Sequence, residues 1–137
     1  MQMPHLNFDN PECVLAYYKN GEAAAIPIDA VCQLKLNSDG RTIVQPNSSE
    51  TNAVVGVAHL AIPNEATKYY PVQVYGYRAS SVLTITDTSI AAGVKLVPTA
   101  GADALVSSAS GDLRFVLLES HTTGTGTVSK KIHITAM

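Results

Sequence analysis

The stretch AVCQLKLNSDGRTIVQ, residues 30–45, decides the fold class. Residues 30–36 alternate, with Cys32, Leu34 and Leu36 on one wholly apolar face and Val31, Gln33 and Lys35 on the other. Successive side chains of a strand point to opposite faces, so this is the pattern of a half-buried strand. Asn37-Ser38-Asp39-Gly40 follows, and Asp-Gly is a tight-turn pair because glycine accepts a positive φ. Residues 41–45 then return as the partner strand. The expectation is a β-hairpin.

The same grammar continues on both sides. Residues 13–18 (CVLAYY) read as a short strand, and Lys19-Asn20-Gly21 reads as a turn. Residues 1–12 (MQMPHLNFDNPE) carry two prolines, two asparagines and no periodic apolar face, which predicts an extended N-terminal arm. Beyond the hairpin, residues 47–52 form a polar loop. Residues 53–60 (AVVGVAHL) form a nearly continuous apolar strand, with Gly56 at a bulge or a close backbone approach. Residues 62–67, broken by Pro63, are a connection with at most one helical turn through residues 64–66. Residues 69–77 (YYPVQVYGY) are a strand with Val72, Val74 and Gly76 against Gln73, Tyr75 and Tyr77. Pro71 cannot donate to a ladder and belongs near the strand start or on an edge. Further runs at residues 82–86, 94–97 (cut by Pro98), around Leu105, 113–118 and 125–135 bring the count to about nine to eleven short strands, at the spacing of a sandwich or barrel. No window carries a capped helical stripe. With no linker or internal repeat, residues 13–137 read as a single all-β domain, a small β-sandwich or β-barrel-like body behind the arm.

Composition narrows the partners. The chain has 137 residues, of which 46% are hydrophobic and 15% charged. That charge content lies well below the roughly 25% of ordinary soluble domains, so adhesion to a larger body or oligomerisation would hide a weakly ionic surface. The net charge is −2, and nine Lys and Arg are scattered from Lys19 to Lys131. A nucleic-acid binder needs a basic stripe to neutralise several phosphates, so no nucleic-acid partner is expected. No apolar run approaches the ~20 residues of a membrane helix. The amino terminus lacks the positive start and apolar run of a secretory signal, so synthesis in a cytoplasm and no membrane partner are expected. Cys13 and Cys32 are too few for a disulfide scaffold and are expected reduced, buried and inert.

Little in the chain points to catalysis. His5, His59, His121 and His133 show no metal-binding spacing. His59, in an apolar run, reads as a core or interface histidine, and His133 as an exposed one on the last strand. No serine lies in a Gly-x-Ser-x-Gly elbow, and Ser110-Gly111-Asp112 reads as a turn. Gly124-Thr125-Gly126 lacks the third glycine and following helix of a phosphate loop, so it too reads as a turn. The carboxylates are dispersed. The expectation is a non-enzymatic protein with no catalytic residue, no metal and no cofactor. Tyr75 and Tyr77, outward on their strand beside Gln73, either meet another subunit or lie under a second sheet or loop.

Taken together, residues 24–135, about four-fifths of the chain, resemble the short head decoration proteins of tailed phages. The resemblance runs through Ile26-Pro27-Ile28, the hairpin from Leu34 to Val44, the polar loop at residues 47–52, the step Ala53-Val54-Val55-Gly56-Val57-Ala58, and the run from Val72 to Gly76. It continues in Ile90-Ala91-Ala92-Gly93-Val94 and in the closing turn and strand from Gly124 to Ile134. Lys95 stands where that family favours an acid nearby, and the tyrosine-rich strand and the arm have no clear counterpart in it. The resemblance implies a β-tulip-type domain, a homotrimer, and a place on the outer surface of an expanded capsid, bridging subunits of the major capsid protein. The arm would order on the shell, and the candidate contacts are Leu6, Phe8, Tyr75 and Tyr77. Two other readings stay open: a head-fibre or tail-associated module binding a glycan or receptor, and an enzyme of unrecognised type.

Overall fold

A computed structural model of the chain describes residues 13–46, 53–86, 89–99, 104–108, 115–122 and 124–135. The arm at residues 1–12 with Leu6 and Phe8, the loop at 47–52 and the Ser110-Gly111-Asp112 turn lie outside these. The described chain is all-β. Its strands are β1 (Cys13–Asn20), β2 (Val31–Leu34), β3 (Thr42–Val44), β4 (Val54–Ala58), β5 (Tyr70–Ile85), β6 (Lys95–Pro98), β7 (Leu105–Ser107), β8 (Phe115–Leu117) and β9 (Gly126–Ile134).

They form one sheet in the order β1-β3-β2-β4-β5-β7-β6-β8-β9, which also closes through β1–β5 and β5–β9. The long β5 therefore belongs to two five-stranded rings. Its amino half pairs at Val72 and Gln73 with β1 on one edge and β4 on the other. Its carboxyl half pairs at Leu83 with β7 and with β9. The sequence predicted two strands here, at residues 69–77 and 82–86, parted at Arg78–Ser81. The structure joins them. Arg78 is a charge between apolar runs, which reads as a break, but its guanidinium is fully partnered inside the protein and the strand continues through an irregularity at Arg78–Ser81.

The predicted hairpin is present: β2 and β3 are antiparallel, with Gln33 opposite Val44 and Leu34 opposite Ile43. Gly40 takes the left-handed φ of 74° that the Asp-Gly pair requires. The expected one-sided burial fails at both ends of β2. Leu36 is exposed, because the strand stops at Leu34. Val31 and Gln33 are buried along with Cys32, because β2 is covered on both faces.

β4 explains that double covering. Cys32 pairs with Gly56 and Gln33 with Val54, so Val55 is an extra residue in a bulge. The bulge breaks strict alternation: Val54 and Val57 join one apolar cluster, while Val55 and Ala58 join the other. The first cluster combines Val31, Val54 and Val57 with Leu83, Leu96, Phe115, Leu117, Ile132 and Ile134 of the second ring. The second cluster gathers Cys32, Ile43, Val55 and Val72 with Ile26 and Ile62, which bridge to each other. The two rings thus share a core across the β2–β4 face. Gly56 also makes the predicted close approach, since a Cβ there would sit 1.9 Å from the Gln73 carbonyl oxygen.

One other turn differs from expectation. Lys19 and Asn20 extend β1, because they pair in parallel with Thr42 and Ile43. The chain turns just after them, where buried Asn20 accepts the Glu22 N–H at 2.7 Å and donates to the carbonyls of Ala24 (2.9 Å) and Pro63 (3.1 Å). The connection at residues 62–67 is non-helical, as expected, with a bend at Asn64 and a turn at Ala66 and Thr67.

Candidate functional site

Cross-strand partners share a face of a sheet, so the pairing register locates the outward side chains. Val14 stands opposite Tyr75, Tyr77 opposite His133, His133 opposite Val116, and Val116 opposite Lys95. Tyr75 and Tyr77 are two residues apart and share that face. The result is a band crossing β1, β5, β9, β8 and β6. Val14, Tyr75 and Tyr77 are 48%, 38% and 41% exposed. The Tyr75 and His133 rings meet edge to face, with centroids 5.8 Å apart and planes at 83°. His133, expected exposed, is half-buried by this contact.

Gln73 departs from the expected trio. It is buried, and its amide donates to the main-chain oxygens of Tyr75 (3.2 Å) and Tyr77 (2.8 Å). The side chain inside therefore clamps the backbone that carries both exposed rings. That backbone is held on its two edges as well, by β1 and β9.

No family model matches this chain, and no curated protein does.

Next to the band, a cleft of about 320 Å³ is lined by Cys13, Asp29, His59, Tyr77, Arg78 and Ser80, among others. Arg78 dominates it. Its Nε donates to the Ser80 carbonyl (2.7 Å), and one terminal nitrogen donates to Gln73 Oε1 (3.2 Å) and lies 3.5 Å from His59 Nδ1. The other donates to the Ala58 carbonyl (2.9 Å) and pairs with the Asp29 carboxylate. A guanidinium has five N–H groups and cannot accept, so these five contacts use every donor, and His59 Nδ1 must face it as the acceptor. Asp29, in the left-handed region at φ 69°, also accepts the Ser80 hydroxyl at 3.0 Å. The carboxylate and cation are committed to each other, which makes the cluster a brace holding the connection before β2, the end of β4 and the middle of β5 together. The sequence signal for it was the lone arginine between two apolar runs; its partner lies 49 residues away in the chain.

A second charged group fixes the hairpin tip. Lys19 Nζ lies 2.6 Å from the Asp39 carboxylate and 5.8 Å from the centre of the Tyr69 ring. Hydrogen bonds from Lys19, the Arg41 N–H and the Thr42 hydroxyl hold the Asp39 carboxyl well below the usual range, and the bond to Asp39 raises Lys19. On the connection between β4 and β5, Tyr70 donates to Glu65 at 2.7 Å, which lowers the carboxyl and raises the phenol; Lys68 lowers Glu65 further.

Among the described residues, no three His, Cys, Asp or Glu side chains group so as to hold a metal ion. Cys32 is buried as expected, its thiol 3.5 Å from the Ala30 carbonyl; Cys13 is only half-buried and lines the cleft. His59 is half-buried against Arg78 rather than in a core, and buried His121 bridges to Ile90 through main-chain hydrogen bonds in both directions. What the arrangement offers outward is a mostly apolar aromatic surface on backbone paired along both edges.

Proposed function

We propose that the protein is a non-enzymatic, structural component of a phage particle, a homotrimer that decorates the outer surface of the capsid and bridges subunits of the major capsid protein. The observation that carries this reading is the exposed Val14–Tyr75–Tyr77 band, with half-buried His133 packed beside it, on strands fixed from both edges. Rigid tyrosines bury a large area at low entropic cost and keep a hydroxyl for a polar partner, which suits a protein surface. The weak charge of the chain and the resemblance in residues 24–135 agree with it.

In a trimer, a modest contact repeated three times gains strength through effective concentration. Shell expansion creates the lattice to be bridged, so differential affinity would restrict binding to the mature particle. The test is co-sedimentation of the purified chain with expanded capsids of the phage that encodes it. Wild-type protein should bind, and joint replacement Tyr75→Ala and Tyr77→Ala should weaken binding at least tenfold, about 1.4 kcal/mol. Absence of binding to expanded shells would overturn the reading.

The same two rings also offer a stacking platform for a sugar, which favours a head-fibre or tail-associated glycan- or receptor-binding module as the second reading. A glycan array separates the two: selective glycan retention lost in the double tyrosine variant, without capsid binding, moves the function there.

A further inference from the structure

β1 runs beside β5 along its length, but beside β3 only at Lys19 and Asn20. Over Cys13–Tyr18 its other edge has no strand partner among the described residues. The main-chain groups pointing into that open lane follow from alternation. The Lys19 N–H donates to the Arg41 carbonyl and the Gly21 N–H to the Ile43 carbonyl, each at 2.8 Å, so odd-numbered residues face the β3 side. Leu15 and Tyr17 then present their N–H and C=O groups to the lane, while Ala16 and Tyr18 bond to β5. Pro71, which has no N–H to give, stands opposite Tyr17, as this assignment requires.

Natural edge strands are usually blunted by charge, proline or a bulge. The stretch CVLAYY has neither charge nor proline, and its bulge lies between Val14 and Leu15, leaving Leu15 to Tyr18 in register. β9 offers the contrast. β8 covers it only from Ile132 to Ile134, and the remainder carries Lys130 and Lys131, with the Lys131 N–H taken by Glu119 at 3.0 Å. The β1 lane is also continuous with the exposed band, through Val14 beside Tyr75, and Tyr17 is 58% exposed. At its far end β3 enters and closes it at Arg41 and Thr42, where Arg41 is exposed.

We infer that the open edge of β1 is a strand-acceptor site for a short extended segment of the capsid shell protein, apolar along its length and acidic at the end that meets Arg41. Main-chain groups of Leu15 and Tyr17 that pair with no described strand recognise an extended backbone, the exposed side chains of Val14 on one face and Tyr17 on the other select its side chains, and Arg41 supplies the charge match. This rests on the capsid-decoration reading and names the element through which the shell is held.

Tyr17→Pro removes the outward N–H without touching the β5 ladder, and Tyr17→Lys puts a charge on the edge with the backbone intact. Both are measured for co-sedimentation with expanded capsids, alongside amide exchange of the free and shell-bound chain. Wild-type binding that falls at least tenfold in both variants, with Leu15 and Tyr17 amides fast-exchanging when free and protected when bound, is the expected result. Wild-type affinity retained in Tyr17→Lys would overturn the strand-acceptor site and leave the capsid reading standing. Failure of the wild type to bind shells would overturn that reading and this partner together. A concentration-dependent dimer abolished by both variants, with no shell binding, would assign the edge to a second copy of the chain and overturn the proposal.

Discussion

Replacing Arg78 with methionine should be strongly destabilising even though it leaves the apolar core intact. Methionine is unbranched and follows the aliphatic path of the arginine, so the loss is concentrated in the guanidinium. That group serves Ser80, Gln73, His59, Ala58 and Asp29 at once, and its side chain is 8% exposed against 21% for Asp29. Asp29 and the Ser80 carbonyl can recover some water, and the Ala58 carbonyl keeps the Asp29 N–H at 3.0 Å, but Gln73 Oε1 is left in buried surroundings at a cost of about 1–3 kcal/mol. Breaking a buried pair on one side costs about 3–5 kcal/mol in all, so about 4 kcal/mol is expected. For a chain of this length the unfolding entropy is about 0.3 kcal/mol/K, which turns that loss into a drop in Tm of about 14 °C. Thermal unfolding followed by circular dichroism measures it, provided the transition is reversible and two-state. Asp29→Asn supplies the second arm of a double-mutant cycle, since asparagine tolerates the φ of 69° while losing the charge. With both residues replaced, the stranded carboxylate is gone, so the double variant should be no less stable than Arg78→Met alone. A Tm drop under about 4 °C, or strictly additive effects, would refute the idea that this ion pair braces the junction.

Gly56→Ala should prevent folding or cost more than the ~1–3 kcal/mol of ordinary overpacking, because its Cβ would meet main-chain atoms of Gln73 at 1.9 and 2.8 Å; Gly40→Ala, with open space around it but φ at 74°, should cost only about 1 kcal/mol, and comparing the two melts checks the distinction. Asp39 has its carboxyl lowered in the folded state from an ordinary value near 3.8, so its contribution is complete above that pH and lost as pH falls toward the folded value. The stability gap between wild type and Asp39→Asn should therefore be widest at neutral pH and close below about pH 4 in acid-titrated melts. A thiol reagent under native conditions should modify half-buried Cys13 and spare buried Cys32, with the second thiol released only on unfolding, as mass spectrometry of the labelled chain would read.

The hairpin at residues 30–45 and the place of most strands along the chain could be read from the sequence, because alternation and turn chemistry are local properties. The same alternation set Gln73 outward beside Tyr75 and Tyr77, but Gln73 is buried. The special status of Gly56 could be read as well, since a glycine inside an apolar strand has few other reasons to stand there. What residues 13–20 pair with could not: β1 lies against β5, more than fifty residues on, and alternation says which side faces inward but never which neighbour pairs. Burial of both faces of β2 and β4 was equally out of reach, since it depends on one ring packing against the other and on a bulge at Val55 that inverts the local register. Arg78 marks the boundary most sharply. In sequence it is a charge that ends a strand; in the folded chain Asp29, Gln73, His59 and two carbonyls converge on it, and the strand runs through. A charge reads as a break until its partners are known, and only the tertiary structure brings partners from four parts of the chain to one guanidinium.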